Sequence, residues 1–379
     1  MVIFTYQLPK SLSFDNFAEV EADILNQLEG HNYDEIVLDA KETNYISSAG
    51  LRVVLNLKKK YDKVSVINAS IEVYDIFEMT GFTNIVTVEK ALREVSVEGC
   101  KIIGKGAHGT VYLTAPDTIV KVYEKGASID EIKRERELSK KAFVMGLPTA
   151  IALDIVKVGD KYGTVFELLN AGSCVKYVNE SQENTDDFVD KAVALLEKIH
   201  STVCDDDSLP DMKKSHLRYV ENIKSLLSEE EYQKAKKIIE DIPDGKTLIH
   251  GDFHLKNQLL TKGNELMLID MDTLCTGNPI FELASVCNSY FEFGVINRSM
   301  IENFLEIPLE KANYIWKSIS RKYYADLSDE EYQIVIDKVR LIGCIRGLHF
   351  FKKHNITGKD LDKYLKDLRE LLEKSRYYS

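Results

Sequence analysis

The sequence predicts a small α/β domain followed by a larger α+β unit with a β-rich lobe and a helix-rich lobe. Three observations carry this. Strand-like and helix-like segments alternate over residues 1–95. β-rich runs then crowd into residues 101–170, and beyond about residue 185 the chain is mostly helical, interrupted by one β-rich stretch at residues 247–270. Alternation favours a sheet covered by helices, whereas strands followed by a run of helices favour segregated layers.

Within the first domain, Val2–Tyr6 is a short β-rich opening. Phe14–Leu28 carries Phe17, Val20, Ile24 and Leu28 at helical spacing, the mark of an amphipathic helix. Glu35–Leu38 reads as a buried strand. Ser48–Tyr61 reads as a helix with Leu51, Val54, Leu55 and Leu57 inward. Lys58, Lys59 and Lys60 stand near its C-terminal end, where cations suit the helix dipole. Val64–Ile67, Ile71–Met79 and Ile85–Val88 complete the alternation as strand, helix and strand. Ser96–Cys100, with little apolar content, is expected to be a linker.

The second unit opens with β runs at Lys101–Gly104, Gly109–Thr114 and Thr118–Tyr123. A charged helix follows from Ile129 to about Met145, then a hairpin-like pair, Ile155–Val158 and Tyr162–Leu168, split by Gly159-Asp160. The expected division is residues 101–170 for the β-rich lobe and 171–379 for the helical lobe.

Composition narrows the function classes. The chain of 379 residues is 44% hydrophobic and 29% charged, ordinary for a globular protein with a real core. A net charge of −12 argues against nucleic acid as a main partner, because phosphate backbones need a basic face. No apolar stretch has the length of a membrane span, and the N-terminus lacks the charged-then-apolar pattern of a signal peptide. None of the six cysteines has C-x-x-C or metal-ligand spacing. Reduced thiols, no membrane association and a cytoplasmic location are the resulting expectations.

The residues that carry chemistry lie in the second unit. Gly104-Lys105-Gly106-Ala107-His108-Gly109-Thr110-Val111 fits G-x-G-x-x-G-x-V. It leads from a strand into a strand, unlike a dinucleotide-binding glycine run, which leads into a helix. A hairpin of this kind can fold over the phosphates of ATP, and glycine lets its backbone approach them. Lys121 lies within the apolar run Ile119–Val122. A buried lysine needs a partner. As a phosphate grip it would pair with a Glu of the next helix, and Glu135 is chosen over Glu131 and Glu137 by its distance from Gly146-Leu147-Pro148. His250-Gly251-Asp252-Phe253-His254-Leu255-Lys256-Asn257 precedes Asp270 by a β-rich stretch. Phosphoryl transfer needs a carboxylate to orient the acceptor hydroxyl and take its proton, which suits Asp252. It also needs oxygen ligands for Mg2+, which suits Asn257 and Asp270. His254 is expected to support the loop, and Asp272 is a weaker metal candidate.

With these motifs in place, residues 98–379 resemble the aminoglycoside phosphotransferase and choline kinase branch of the protein-kinase-like fold. The resemblance rests on His250-Gly251-Asp252-x4-Asn257, Ile269-Asp270 and Gly277-Asn278-Pro279-x3-Leu283-Ala284. It implies Asp252 as catalytic base, Asn257 and Asp270 as Mg2+ ligands, and Lys121 as phosphate contact. It places adenine along the chain at Glu167 and Leu168, after Val165-Phe166. Glu282 stands where the family usually has Asp. Gly251 replaces the Arg of the protein-kinase loop, and only six residues separate Asp270 from Gly277. Both features favour a small-molecule acceptor over a peptide. Tyr290, Phe291, Glu292, Trp316, Tyr323, Tyr324, Arg346 and His349 are expected around it. Their aromatic and acidic groups suit a cationic amine of the aminoglycoside or choline-like class.

Residues 1–95 resemble the STAS domain of anti-sigma-factor antagonists, through Ile36-Val37-Leu38-Asp39-Ala40, Tyr45-Ile46-Ser47-Ser48-Ala49-Gly50-Leu51-Arg52 and Met79-Thr80-Gly81-Phe82. That family phosphorylates a Ser at the start of this helix to switch a protein partner, and the matching position is Ser48. Ser47 stands where the family often has Asp, and Ala49 where it often has Ser or Thr. The alternative is that Ser48 is an N-cap. Two other readings of the whole chain stay open: a protein kinase acting on a STAS-domain Ser, its own Ser48 or a partner's, and a non-catalytic nucleotide-binding regulator.

Overall fold

The structure is a computed structural model that describes residues 2–106, 109–205 and 208–374. The chain divides into two compact units. One runs to Ser96 and includes Ile155–Asp160; the other comprises Val97–Asp154 and Lys161 onward.

In the first unit, Ile3–Gln7, Glu35–Asp39, Val64–Ala69 and Thr87–Lys90 form a sheet in that order, all pairs parallel. Helices Phe17–Leu28, Ser48–Lys60 and Ile71–Met79 connect them. Their apolar stripes are buried: Val20, Ile24 and Leu28 on the first, Val73 and Phe77 on the third. On the second helix Val53 is buried where Leu55 was expected, and Leu55 is only partly covered. The first helix starts at Phe17 and leaves Phe14 exposed, because Asn16 turns back to bond Ser13 and Ser11. The last strand starts two residues later than the apolar run suggests. Gly81, at φ 75°, opens a 3-10 turn over Phe82–Asn84 that takes up the intervening chain.

In the second unit, Lys161–Glu167, Thr118–Tyr123, Gly109–Ala115 and Lys101–Gly106 lie side by side in one sheet. Helix Ile129–Val144, capped by Ser128, follows the third strand of this region. Strand Ala152–Val158 begins three residues before the apolar run that predicted it. The remaining chain is helical around a core that includes Phe188, Leu196, Phe253, Phe281 and Ile342. Two short antiparallel ladders interrupt it, Thr247–Ile249 with Cys275–Gly277 and Gln258–Thr261 with Leu266–Leu268. They hold the loops that contain the candidate residues Asp252, Asn257 and Asp270. The longest helix, Asp329–Lys353, starts with a capping box between Ser328 and Glu331. Among the described residues no helix is long and apolar enough to cross a membrane.

His200 and His216 are buried neutral in the helical lobe, and burial lowers the pKa of each from 6.5 to about 3. His200 is 8% exposed and bonds Tyr323 through Nδ1 at 2.7 Å. Below pH 6.5 the unfolded chain therefore binds a proton that the folded lobe refuses. Stability should fall as pH drops from 6.5 toward 3, by about 1.4 kcal/mol per pH unit for one such group. Denaturant midpoints measured at pH 7 and pH 5 should converge in His200→Gln relative to the parent.

Candidate functional site

The loop from His250 to Asn257 is shaped by contacts from distant parts of the chain. Glu282, fully buried on helix Ile280–Cys287, accepts the N–H of His250 and, at 3.0 Å, that of Gly251. Burial pushes the Glu282 carboxyl up to about 7, opposed by those two donors. Asp252 N–H donates to His250 Nδ1 at 3.2 Å, and His250 Nε2 faces Ile269 O at 3.2 Å. These partners assign the proton of the neutral ring to Nε2. Gly251 has φ 83°, and a Cβ there would stand 2.7 Å from Thr273 O. Only glycine fits this turn, so the backbone itself accounts for the residue that replaces the protein-kinase Arg. Thr273 closes the other side by donating to His250 O at 2.7 Å. Tyr290 OH accepts from Leu255 N at 2.7 Å.

These anchors present Asp252. Its Oδ2 receives Asn257 Nδ2 at 2.9 Å and faces His254 Nε2 at 3.2 Å. Its side chain remains 38% exposed. Burial would raise this carboxyl, but the His254 hydrogen bond and the positive charge of Arg346 hold it well below the usual range.

Lys121 comes from the sheet. Its ammonium lies 2.8 Å from Glu135 and 2.9 Å from Asp270, joining a strand, a helix and a loop 149 residues away in sequence. Burial alone would lower the Lys121 pKa, but Asp270 and Glu135 more than offset that and raise it. Asp270 has φ 65°, a strained value for a residue with a side chain and frequent at functional sites. Asp272 is pushed up to about 7, first by burial and then by Asp270 and Glu135. The pocket therefore holds more carboxylate than Lys121 neutralises.

The glycine hairpin pairs Lys101–Gly106 with Gly109–Ala115; Ala107 and His108 lie outside the described residues. The three glycines differ in kind. At Gly109 a Cβ would meet Val122 O at 2.2 Å, so sheet packing requires it. At Gly104 and Gly106 a Cβ would meet nothing closer than 3.6 Å, which leaves close approach of a ligand as their rationale. Glu167 and Leu168 end the neighbouring strand, but their N–H groups are engaged by Ile151 O and Asp117 O. A base there would meet carbonyls or side chains, not these donors.

Residues 99–305 match the phosphotransferase enzyme family. The chain belongs to that family. Residues 2–95 match the STAS domain. None of the curated proteins matches. Solved structures with similar folds include a thermostable mutant of aminoglycoside phosphotransferase APH(4)-Ia in a ternary complex with ADP and hygromycin B. It is 11% identical with a TM-score of 0.51, covering 79% of this chain and 97% of that one. Another mutant of the same enzyme, with AMP-PNP and hygromycin B, is 12% identical with a TM-score of 0.50, covering 74% and 95%. The phosphotransferase thus carries a STAS domain before a protein-kinase-like fold.

Several residues expected around an acceptor in this phosphotransferase lie elsewhere. Tyr290, Glu292 and Trp316 are buried. Tyr290 supports the loop from His250 to Asn257 through Leu255 N, and Glu292 pairs with Arg340 at 2.6 Å. In the STAS domain the N-cap of helix Ser48–Lys60 is Ser47, whose side chain accepts from Gly50 N at 3.3 Å. Ser48 is the first helical residue and is exposed, so it is not the cap. Sequence reasoning did not find the loop-anchoring roles of Tyr290 and Thr273. Each is made across a long separation in the chain, and no local motif announces it.

The grip of Glu282 is testable. Glu282→Gln sets an amide N–H2 against two backbone donors and leaves one of them unpaired, at a cost of about 1–3 kcal/mol. Thermal unfolding should come earlier and turnover should fall, while nucleotide binding, measured by calorimetry, should persist.

Proposed function

We propose that this phosphotransferase moves the γ-phosphate of ATP to a hydroxyl of a small-molecule acceptor, with Mg2+, and that its STAS domain serves regulation or docking to a protein partner. The convergence of Lys121, Glu135 and Asp270 beside the Asp252–Asn257 loop carries this reading. The structures of similar fold that hold ADP or AMP-PNP with hygromycin B support it.

Each residue has a distinct task. Lys121 stays charged and, when nucleotide enters, exchanges Asp270 for the α- and β-phosphates while keeping Glu135. Gly104 and Gly106 let the hairpin backbone lie close over the phosphates. Glu167 and Leu168 border the adenine. Asn257 spends its amide nitrogen on Asp252, which leaves its oxygen, with Asp270, as a hard ligand set suited to Mg2+. The surplus of carboxylate around Lys121 fits a divalent cation there. When bound, Mg2+ neutralises phosphate charge and shields the γ-phosphoryl group for attack. A carboxylate held as low as Asp252 is a weak base. It therefore orients the hydroxyl first and accepts its proton late, as the bond to phosphorus forms. ATP use and reduced thiols fit a cytoplasmic setting.

The short stretch from Asp270 to Gly277 favours a small acceptor over a peptide, and the burial of Glu292, Tyr290 and Trp316 removes part of the reason for expecting a cationic one. The test uses Mg2+, labelled ATP and a panel of aminoglycosides, amino-alcohols, sugars and hydroxy acids. Asp252→Ala should cut transfer by about a hundredfold or more while ATP binding survives. Turnover near the parental level in Asp252→Ala would remove it from this role. Label on the protein, lost in Ser48→Ala, would instead support a kinase acting on a STAS-domain serine.

A further inference from the structure

Helix Asp329–Lys353 runs close beside the helix that holds the catalytic loop. Asn288 donates to Gly343 O at 2.8 Å, and a Cβ on Gly343 would meet Asn288 Oδ1 at 2.8 Å. One turn further along comes Arg346. Helix Met212–Ile223 approaches the same region: Tyr219 stacks on His349 with ring centres 4.2 Å apart, and His216 packs on Phe281 at 4.6 Å.

The nitrogens gathered at this point are unsatisfied. Arg346 Nη1, His349 Nδ1 and His216 Nε2 are buried with no hydrogen-bond partner. Among the described residues Arg346 has no carboxylate within ion-pair distance. Of these three nitrogens only Arg346 Nη1 is necessarily a donor, because His216 gives its Nδ1 proton to Met212 O and leaves Nε2 an acceptor. An unpaired buried donor is costly and calls for an explanation. Arg340, six residues earlier on the same helix, shows how this lobe accommodates a structural arginine. It bonds Glu292 at 2.6 Å and Asp367 at 2.9 Å. Glu282 interacts with Arg346 only through its charge; its hydrogen bonds go to the backbone N–H groups of His250 and Gly251. Arg346 stands one turn beyond Gly343 on a helix packed against the helix whose Glu282 holds His250 and Gly251, the residues that lead into Asp252. Burial, with Lys353, Arg346 and His354 nearby, lowers the His349 pKa.

We propose that Arg346 recognises a carboxylate or phosphate on the acceptor, so that the substrate of this phosphotransferase is an anionic hydroxyl compound and not a polycationic aminoglycoside or choline-like amine. This rests on the phosphotransfer reading above. An anion on Arg346 would satisfy its open donors and bring a neighbouring hydroxyl within reach of Asp252. A planar guanidinium suits such groups by paired hydrogen bonds.

The experiment uses the full chain with Mg2+ and ATP and two matched trios: gluconate, sorbitol and glucosamine, and glycerate, glycerol and serinol. ADP release and thermal protection in the presence of MgADP are both read, with hygromycin B and choline as cationic references. The anionic member of at least one trio should give the larger response. Arg346→Gln should raise its KM by about tenfold or more, with kcat and the KM for ATP changed much less, and Arg346→Lys should recover part of the loss. A retained KM for ATP shows that the variant folds. Preference for the cationic members or references would overturn the proposal, as would no response to either anion. A fall in kcat shared by all acceptors at unchanged acceptor KM would also overturn it, assigning Arg346 to the transferring phosphoryl group. Absence of both thermal protection by MgADP and ADP release with every acceptor, references included, would instead refute the phosphotransfer reading itself.

Discussion

The site depends on one buried ammonium. Lys121 sits on a strand of the β-rich lobe, and its contacts with Glu135 and Asp270 bring that strand, the charged helix and the Asp270 loop to a common point. A buried ion group gains little net stability over an apolar one, because desolvation consumes most of the attraction, yet removing one member leaves charge stranded. Such a cluster fixes geometry more than it adds stability. It also leaves the pocket short of positive charge, with Asp272 raised by its acidic neighbours, a state suited to receiving a metal–nucleotide pair. Asp270 is kept in an unfavourable left-handed conformation, so its direction is set by the surrounding structure, and local preference alone would not choose it.

The catalytic loop is held on a similar principle with different groups. A carboxylate on two backbone N–H groups, a phenol on a third and a threonine on a carbonyl fix the loop from three directions. The glycine at its centre is required by backbone shape and crowding. Asp252 is thereby immobilised by its surroundings while its own carboxylate stays partly open. That combination suits orientation of an incoming hydroxyl, where small misplacements are costly.

The parts legible in the sequence were those with short-range grammar. Amphipathic periodicity located the STAS helices, and the spacing of His250, Asp252 and Asn257 located the loop. Lys121 and Glu135 could be paired because a lysine in an apolar strand demands an acid nearby. The misses have a common cause. Val53 replaced Leu55 at the core because helix rotation is set by the sheet it packs on. Ser47 took the cap in place of Ser48 because the chain enters that helix from a strand pairing at Leu12, whose carbonyl receives Ser47 N–H. Tyr290 and Glu292 looked like acceptor-site residues by type, yet a π-helical segment over Asn288–Glu292 turns both into the interior. Residue type shows what a side chain can do; the direction it faces is decided by partners far away in sequence.

Charge illustrates the same limit. A net charge of −12 argues against a nucleic-acid reading, because that requires an extended basic face. It says nothing of a pocket a few ångströms across. There the potential follows from which charges are already paired. Arg340 and Arg346 are the same residue on the same helix, yet Arg340 is cancelled by two carboxylates and Arg346 by none. Arg346 stands on the helix packed against the one whose Glu282 holds the Asp252 loop. Under the proposal above, local pairing, more than total charge, sets the sign of the substrate.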